Sequence, residues 1–345
     1  MRTGPEFRQS KHQYMSVSEP PQQTEEQQPL DPPVNRYWRA AYLFCGTVTA
    51  AGLFTRLTFT DRWLFLSTIY YATPLALLCL GCLCSAICTW VLKWRRHSLV
   101  WAVLSLAMLF AWGTTCFSHK SQPTVESDIS VMFWNVARKK DMAPAANLIN
   151  QVDADVVALV ESGWANAERR QFWEEHCPGY EISLLGGGLL IMTKGTSGTC
   201  VAEELAKNSI YRRIDCQVNG HELTCVVVDL KSDPYYSRRP VLGKLANDLA
   251  PFRDKNLIVM GDFNTPVESV HFGPMRQFLR EAFEVSGNGY APTWPHPAPV
   301  LWLDQIWVGP TVQPIQCHRL TPVNSDHCPV LAMLRIADDV EEESP

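Results

Sequence analysis

Leu257-Ile258-Val259-Met260-Gly261-Asp262-Phe263-Asn264 is the stretch that decides how this chain is read. Its first four residues form a short apolar run of the kind that makes a buried β-strand. Ending that strand in Gly-Asp-x-Asn sets a carboxylate and an amide side by side at its tip. Gly, Asp and Asn are also ordinary turn formers, so the octet alone is ambiguous. The rest of the chain repeats the pattern. Asn135 closes Val131-Met132-Phe133-Trp134, and Glu161 closes Val156-Val157-Ala158-Leu159-Val160. Asp304 sits in Trp302-Leu303-Asp304-Gln305-Ile306-Trp307, and Ser325-Asp326-His327 precedes a last apolar run, Val330 to Leu334. Polar groups at the tips of five apolar runs point to one shared site rather than to five unrelated turns.

In this order, these motifs resemble the endonuclease/exonuclease/phosphatase superfamily, which includes DNase I-like nucleases, abasic-site endonucleases, sphingomyelinases and inositol-phosphate phosphatases. The resemblance covers roughly residues 128–336. It implies an α/β fold, a four-layer α/β sandwich of two packed mixed β-sheets with outer helices. It also implies Mg²⁺-dependent hydrolysis of a phosphoester, with Mn²⁺ as the alternative ion.

Hydrolysing such an ester needs an activated water, charge relief on the non-bridging oxygens and a stabilised leaving oxygen; a hard divalent cation with oxygen ligands serves the second need. Glu161 is the first choice as metal ligand, a carboxylate at a strand tip with no obvious basic partner nearby, and the matching family residue binds Mg²⁺. Asn135 orients a metal-bound water or the neighbouring Asp, and Asp326 completes the metal environment. By the resemblance, Asp262 orients or deprotonates the attacking water and Asn264 donates to a phosphoryl oxygen. His327 can change charge near neutral pH, which suits acid–base or transition-state work. Asp304 matches the family carboxylate that holds this His in one tautomer.

The chain departs from the family in one place. Many members carry a second His after the strand that precedes Gly-Asp-x-Asn. Here that stretch reads Val226-Val227-Val228-Asp229-Leu230-Lys231-Ser232-Asp233-Pro234, so Asp229 stands in its place. Asp229 acts as an acid only if its surroundings retain its proton; otherwise it contacts the metal. Tyr235, Tyr236, Arg238 and Arg239 follow. An Arg there either clamps a phosphate or belongs to a solvated helix start.

The part of the chain before the family-like region is of another kind. Residues 1–36 are polar and rich in Gln, Glu and Pro, as disordered segments are, and they lack the layout of a signal peptide. Apolar stretches follow at about Tyr37–Thr55, Trp63–Leu92 and Leu99–Phe117. A helix needs ~20 apolar residues to cross a bilayer. The outer two fit that length. The middle one is too long for one straight span, and Pro74 is placed to kink it. The expected layout is an all-α transmembrane region over 37–118, read as three helices, a linker at 119–127, the catalytic domain at 128–336 and an acidic tail at 337–345. Arg36, Arg39, Lys93, Arg95 and Arg96 flank one side of the membrane region; Arg56, Arg62 and Lys120 flank the other. The positive-inside rule then makes this an integral membrane protein with a cytoplasmic N-terminus and the catalytic domain outside the cytoplasm.

Charge bears on the substrate. Residues 121–345 hold 19 Lys and Arg against 29 Asp and Glu, a net charge of −10. A protein that grips long nucleic acid usually shows a basic face, because counterion release supplies most non-specific affinity. The acidic domain and its anchor in the lipid bilayer therefore favour a lipid headgroup or a small phosphodiester as substrate. An exported nuclease acting on nucleic acid is the alternative, and a catalytically silent binder of a phosphorylated ligand is a third. No protein partner is indicated. Six of the 12 cysteines lie in or beside the apolar stretches. The other six (Cys177, Cys200, Cys216, Cys225, Cys317, Cys328) contain no Cys-x-x-Cys pair, which argues against zinc; in an exported domain some of them can form disulfides.

Local patterns complete the reading. Ala145, Leu148, Ile149 and Val152 recur at helical spacing after Pro144. Leu242, Leu245, Leu249 and Phe252 form a second helical stripe, and Met275, Phe278, Leu279 and Ala282 a third. Asn219-Gly220 between Ile214–Val218 and Leu223–Val228 is a hairpin signal. Gly186-Gly187-Gly188 reads as a turn before Leu189–Met192, because no Gly-Lys-Ser/Thr follows to make a phosphate loop.

Overall fold

The computed structural model describes residues 33–120 and 126–337, with Met1 and Gly4 in addition. Most of the expected disordered N-terminus, most of the 119–127 linker and residues 338–345 of the acidic tail fall outside the described residues, whereas residues 33–36, expected to be disordered, form the first turn of a helix.

Two mixed sheets form the centre of the C-terminal region. The first runs in the order Val312–Arg319, Val330–Ile336, Ile129–Asn135, Val156–Val160, Leu189–Thr193, Glu181–Gly186. The second runs Arg280–Glu281, Asp304–Val308, Leu257–Asp262, His221–Asp229, Ser209–Val218, Thr196–Ser197, with Val201–Ala206 also on Ser209–Val218. Each sheet has one parallel pair. Ile129–Asn135 lies parallel to Val156–Val160, and Leu257–Asp262 lies parallel to His221–Asp229. Parallel neighbours end at the same edge, so Asn135 and Glu161 emerge beside each other, and so do Asp229 and Asp262. The α/β sandwich of two packed sheets expected from the resemblance is the fold observed.

Strand alternation explains why these tips meet. Successive side chains point to opposite faces. Val131 and Phe133 face the other sheet and share a core with Val226, Val228, Ile258 and Met260. Met132 and Trp134 face outward and pack with Ala146, Ile149 and Trp173 of two covering helices, Ala143–Val152 and Ala167–His176. Asn135 continues the inward parity of Val131 and Phe133, so its amide reaches across to the second sheet. Gly261 has a reason to lack a side chain: a Cβ there would lie 2.6 Å from both Cβ and the carbonyl oxygen of Val228, its ladder partner. The glycine of Gly-Asp-x-Asn thus lets the strand bearing Asp262 lie flush against the strand bearing Asp229.

The hairpin at Asn219-Gly220 forms, with both residues at positive φ (51° and 86°), as a two-residue turn between strands requires. The turn at Gly186–Gly188 forms as well. The third helical stripe does not make one helix. Met275–Gln277 is a single 3-10 turn, Arg280–Glu281 pairs with Asp304–Val308, and only Ala282–Ser286 is helical. Sheet pairing at Arg280 and Glu281 overrides the helical spacing.

The N-terminal region is helical: α1 (Pro33–Phe54, continued by a π turn at Thr55–Phe59), α2 (Leu64–Ala72), α3 (Leu75–Val91) and α4 (Arg95–Cys116). Two stretches, Asn35–Phe59 and α4, are long and apolar enough to cross a membrane. α2 and α3 make a third candidate only as a pair bent by 69° next to Pro74. After α4, Phe117–His119 pairs with Asn288–Tyr290, which ties the last apolar helix to the sheet region. All 12 cysteines are free thiols, so the disulfides open to an exported domain are not formed among the described residues.

Candidate active site

Asp262 is the hub. It is 2% exposed; Oδ2 accepts a hydrogen bond from Asn135 Nδ2 at 2.9 Å, and Oδ1 accepts from the Asn264 backbone N–H at 2.9 Å. The Asn135 Oδ1 in turn accepts from the Ala137 N–H at 2.8 Å. Both ends of the Asn135 amide are therefore engaged, and of the two tasks considered for it, the geometry matches orienting Asp262. Asp304 is the ladder partner of Asp262, which brings a second buried carboxylate beside it.

His327 approaches from the loop before Val330–Ile336. Its Nδ1 lies 2.8 Å and 3.1 Å from the two carboxylate oxygens of Asp304, and its Nε2 lies 3.9 Å from Asp262 Oδ2. Surrounding bonds hold this loop. Ser325 Oγ donates to the Asn135 carbonyl at 2.8 Å and accepts from the His327 N–H at 3.1 Å, while Trp134 Nε1 donates to the His327 carbonyl at 2.9 Å. On the other side, Thr293 Oγ1 accepts from the Leu303 and Asp304 N–H groups. The imidazole is therefore locked in orientation, with one nitrogen spent on Asp304 and the other turned toward Asp262.

The electrostatics follow from burial. Burial alone would lower the His327 pKa, but Asp304 and then Asp262 outweigh it and lift it to about 10. Burial and Asp304 raise Asp262, against the opposing pull of His327 and two hydrogen bonds. Asp229 is pushed up to about 8 by burial and by the negative charges of Asp262 and Glu161, while Arg138 and His327 oppose the shift. These surroundings favour the protonated form of Asp229, the form an acid needs.

Other expected positions differ in detail. Glu161 is not unpaired: its Oε1 lies 3.2 Å from Arg138 Nη2, a pairing hidden from the sequence because the two strand tips become neighbours only on folding. Arg138 is 75% exposed there, so the pair is weak and easily opened to a competing cation. Asn264 gives one amide N–H to the Leu230 carbonyl at 2.7 Å, which leaves its second amide hydrogen for a ligand. Asp326 is exposed and accepts from Trp294 Nε1 at 3.1 Å; it lies outside the closely spaced group of Asp262, Asp304 and His327.

These residues face a cleft of about 830 Å³ lined by Asn135, Glu161, Asp262, Asn264, Asp326 and His327. Arg238 also lines it. Rather than a solvated helix start, Arg238 is 2% exposed; Nη2 donates to the Asn264 carbonyl at 3.0 Å, and Nε and Nη1 have no hydrogen-bond partner. Arg238 is thus a buried cation behind the cleft wall, with Asp262, Asp233 and Tyr71 around it. A cation also suits the cleft chemically. Asp262, Asp304 and His327 offer donor atoms within 4.8 Å of one another, and Glu161 adds a carboxylate on the same cleft. Because His327 Nδ1 is already spent on Asp304, Glu161 is the oxygen donor best suited to a hard divalent ion.

The Asp304–His327 contact has a direct test. Asp304→Asn lowers turnover about 100-fold without unfolding the domain, as the imidazole loses its charged partner. Full turnover in a folded Asp304→Asn protein would show that the contact is idle.

Comparison with known proteins agrees with this layout. The family model described as the Endonuclease/Exonuclease/phosphatase family matches residues 132–327. Among solved structures, an endonuclease/exonuclease/phosphatase family protein from Bacteroides thetaiotaomicron is 14% identical, with 61% of this chain and 98% of that one covered and a TM-score of 0.52. The human Nocturnin catalytic domain with bound sulfate is 16% identical over 60% of this chain and 93% of that one, with a TM-score of 0.50. A conserved protein of unknown function from Enterococcus faecalis V583 is 16% identical over 60% of this chain and 100% of that one, also with a TM-score of 0.50. At such identities the likeness speaks for the fold alone. No curated protein matches the chain. The family match spans more than half of the 345 residues and takes in every strand tip that builds the cleft, from Asn135 to His327: the chain belongs to the endonuclease/exonuclease/phosphatase family.

Proposed function

We propose that this protein is a membrane-anchored, divalent-metal-dependent phosphoester hydrolase. Membership of a family of hydrolytic phosphoesterases and nucleases supports the general reading. The observation that carries it is the buried line Asp304–His327–Asp262 facing an open cleft.

Water adds to phosphorus while Asp262, raised toward neutrality, takes its proton. His327 enters this step as an imidazolium and stands against the negative charge gathering on the phosphoryl oxygens. Asn264 presents its remaining amide hydrogen to one of those oxygens. The ester bond to the leaving oxygen breaks, and Asp229 returns a proton to that oxygen in place of the family's second His. Glu161, with Asn135 and Asp326 on the same cleft, would hold a divalent cation, which would supply charge relief on the substrate; Mg²⁺ is the first expectation and Mn²⁺ the alternative. The far ends of α1 and α4 both meet the catalytic domain, which fits a domain on the other side of the membrane from the N-terminus; the basic residues Arg36, Arg39, Lys93, Arg95 and Arg96 favour a cytoplasmic N-terminus by the positive-inside rule.

The basic residues that line the cleft are Lys139 and Arg238, against Glu161, Asp262 and Asp326. No continuous basic groove follows from that set, which favours a lipid headgroup or small phosphodiester over nucleic acid.

Two measurements test the mechanism. Chelation abolishes cleavage of bis(p-nitrophenyl) phosphate by the full chain, and Mg²⁺ or Mn²⁺ restores it; cleavage indifferent to a chelator would remove the metal from the account. Asp229→Asn slows alkyl esters about 100-fold but barely affects p-nitrophenyl esters, whose leaving group needs no proton. Equal losses on both would deny Asp229 the role of acid.

A further inference from the structure

The cleft is not built by the catalytic domain alone. Thr68, Tyr71 and Ala72 of α2, in the segment between the two long apolar helices, line it together with Asp262, Arg238 and His327. Several bonds fix this segment in place. Arg56 pairs with Glu268 at 3.1 Å, Ser67 Oγ donates to the Pro234 carbonyl at 3.3 Å, and Asp61 accepts from the Val270 N–H at 3.2 Å and from the Ser269 hydroxyl. His271 Nε2 contacts the Asp61 carbonyl at 2.9 Å. Asp61 is 1% exposed, so this seam is a packed junction.

α2 changes character along its length: Leu64 and Phe65 at its start, with Trp63 just before it, are exposed, whereas Ser67, Thr68 and Tyr71 further on meet the domain and the cleft. That exposed start, on a helix bent by 69° from the apolar α3, fits the boundary between bilayer and water, where Trp is enriched. Tyr235, next to the Pro234 that receives Ser67, is 70% exposed and adds an aromatic ring to the same rim. The two walls of the cleft carry different groups: Thr68, Tyr71 and Ala72 from α2, and the buried cation Arg238 from the domain. A duplex would have to pass between the domain and the membrane surface to reach Asp262. A headgroup rising from the bilayer would meet α2 first.

We propose that α2 is a substrate-binding wall of the active site, and that the substrate is a membrane phospholipid whose headgroup phosphoester lies between α2 and Arg238 while its acyl chains stay in the bilayer beside α2. The inference rests on the hydrolase reading above and narrows its substrate. Water adds to phosphorus, one phosphorus–oxygen ester bond breaks, and the departing oxygen leaves as an alcohol with a proton taken up.

The test uses the full chain reconstituted with Mg²⁺ and three probes. These are vesicles of equal parts phosphatidylcholine and phosphatidylglycerol, the water-soluble glycerophosphodiesters of the same headgroups, and bis(p-nitrophenyl) phosphate. The vesicle lipids are turned over at least about tenfold faster than their soluble counterparts. Phe65→Ser and Ala72→Trp each lower the ratio of vesicle to bis(p-nitrophenyl) phosphate cleavage about tenfold. His327-dependent cleavage of the soluble esters without cleavage of vesicle lipid, or an unchanged ratio in both variants, would overturn the inference and leave the hydrolase reading standing. No His327-dependent cleavage of any probe would overturn both.

Discussion

Replacing His327 with alanine lowers turnover about 10⁴-fold, the upper range for a positioned acid–base group. The size follows from the surroundings. The imidazole is fixed by Asp304 on one nitrogen and by the Ser325 and Trp134 bonds to its backbone, so no other group stands where Nε2 faces Asp262. The same change costs stability, because Asp304 is fully buried and loses its counter-charge. Removing one partner of a buried pair costs about 3–5 kcal/mol. The pH dependence of that cost has a definite sign. The folded His327 value, about 10, lies above its ordinary 6.5, so its contribution to stability is complete below pH 6.5 and is lost as pH rises through 10. The stability gap between the parent and the variant is therefore widest in acid and closes toward pH 10. Adding Asp304→Asn to His327→Ala recovers stability and costs no further activity, since the two groups act as one unit. A denaturation series across pH, read beside turnover, checks both halves. A gap that widens with pH would mean that His327 is not held as an imidazolium.

Glu161→Gln is the second large effect. It weakens divalent-ion binding about 100-fold and lowers turnover about 10³-fold at limiting metal, because a neutral amide replaces the carboxylate best suited to a hard cation. Its ion pair with Arg138 bridges two exposed strand tips and is worth little to the fold, so the variant keeps its melting temperature in the absence of metal. Metal binding followed by thermal shift separates this from a general loss of structure. Unchanged kinetics and an unchanged thermal shift over a Mg²⁺ titration would take Glu161 out of the metal site.

The fold was legible because its signals are local. Runs such as Val156–Val160 and Leu257–Met260 carry their own strand preference, and a polar residue at the tip of each marks the shared edge. Asn219-Gly220 was legible for the same reason, since its turn chemistry lies within two residues. Met275–Ala282 misleads because Arg280 and Glu281 answer to a strand far away in sequence. Long-range contacts are what the sequence could not disclose. Arg138 meets Glu161 only when two parallel strands align, and α2 meets Asp262 only once the chain has closed over nearly 200 residues. Arg238 illustrates the boundary: residue type and position allowed a phosphate clamp or a solvated helix start, and only its burial excludes the second.

The central claim, that the strand tips from Asn135 to His327 form a metal-dependent hydrolytic centre, has one most direct test. The full chain, freed of metal and then given Mg²⁺, is assayed against matched panels of phospholipids, soluble phosphodiesters and nucleic acids, with His327→Ala as the blank. The account predicts selective cleavage of a phosphoester that requires both the ion and His327. Absence of cleavage on every panel, from a folded chain with Mg²⁺ bound, would contradict it and leave a cleft that binds a phosphorylated ligand without turning it over.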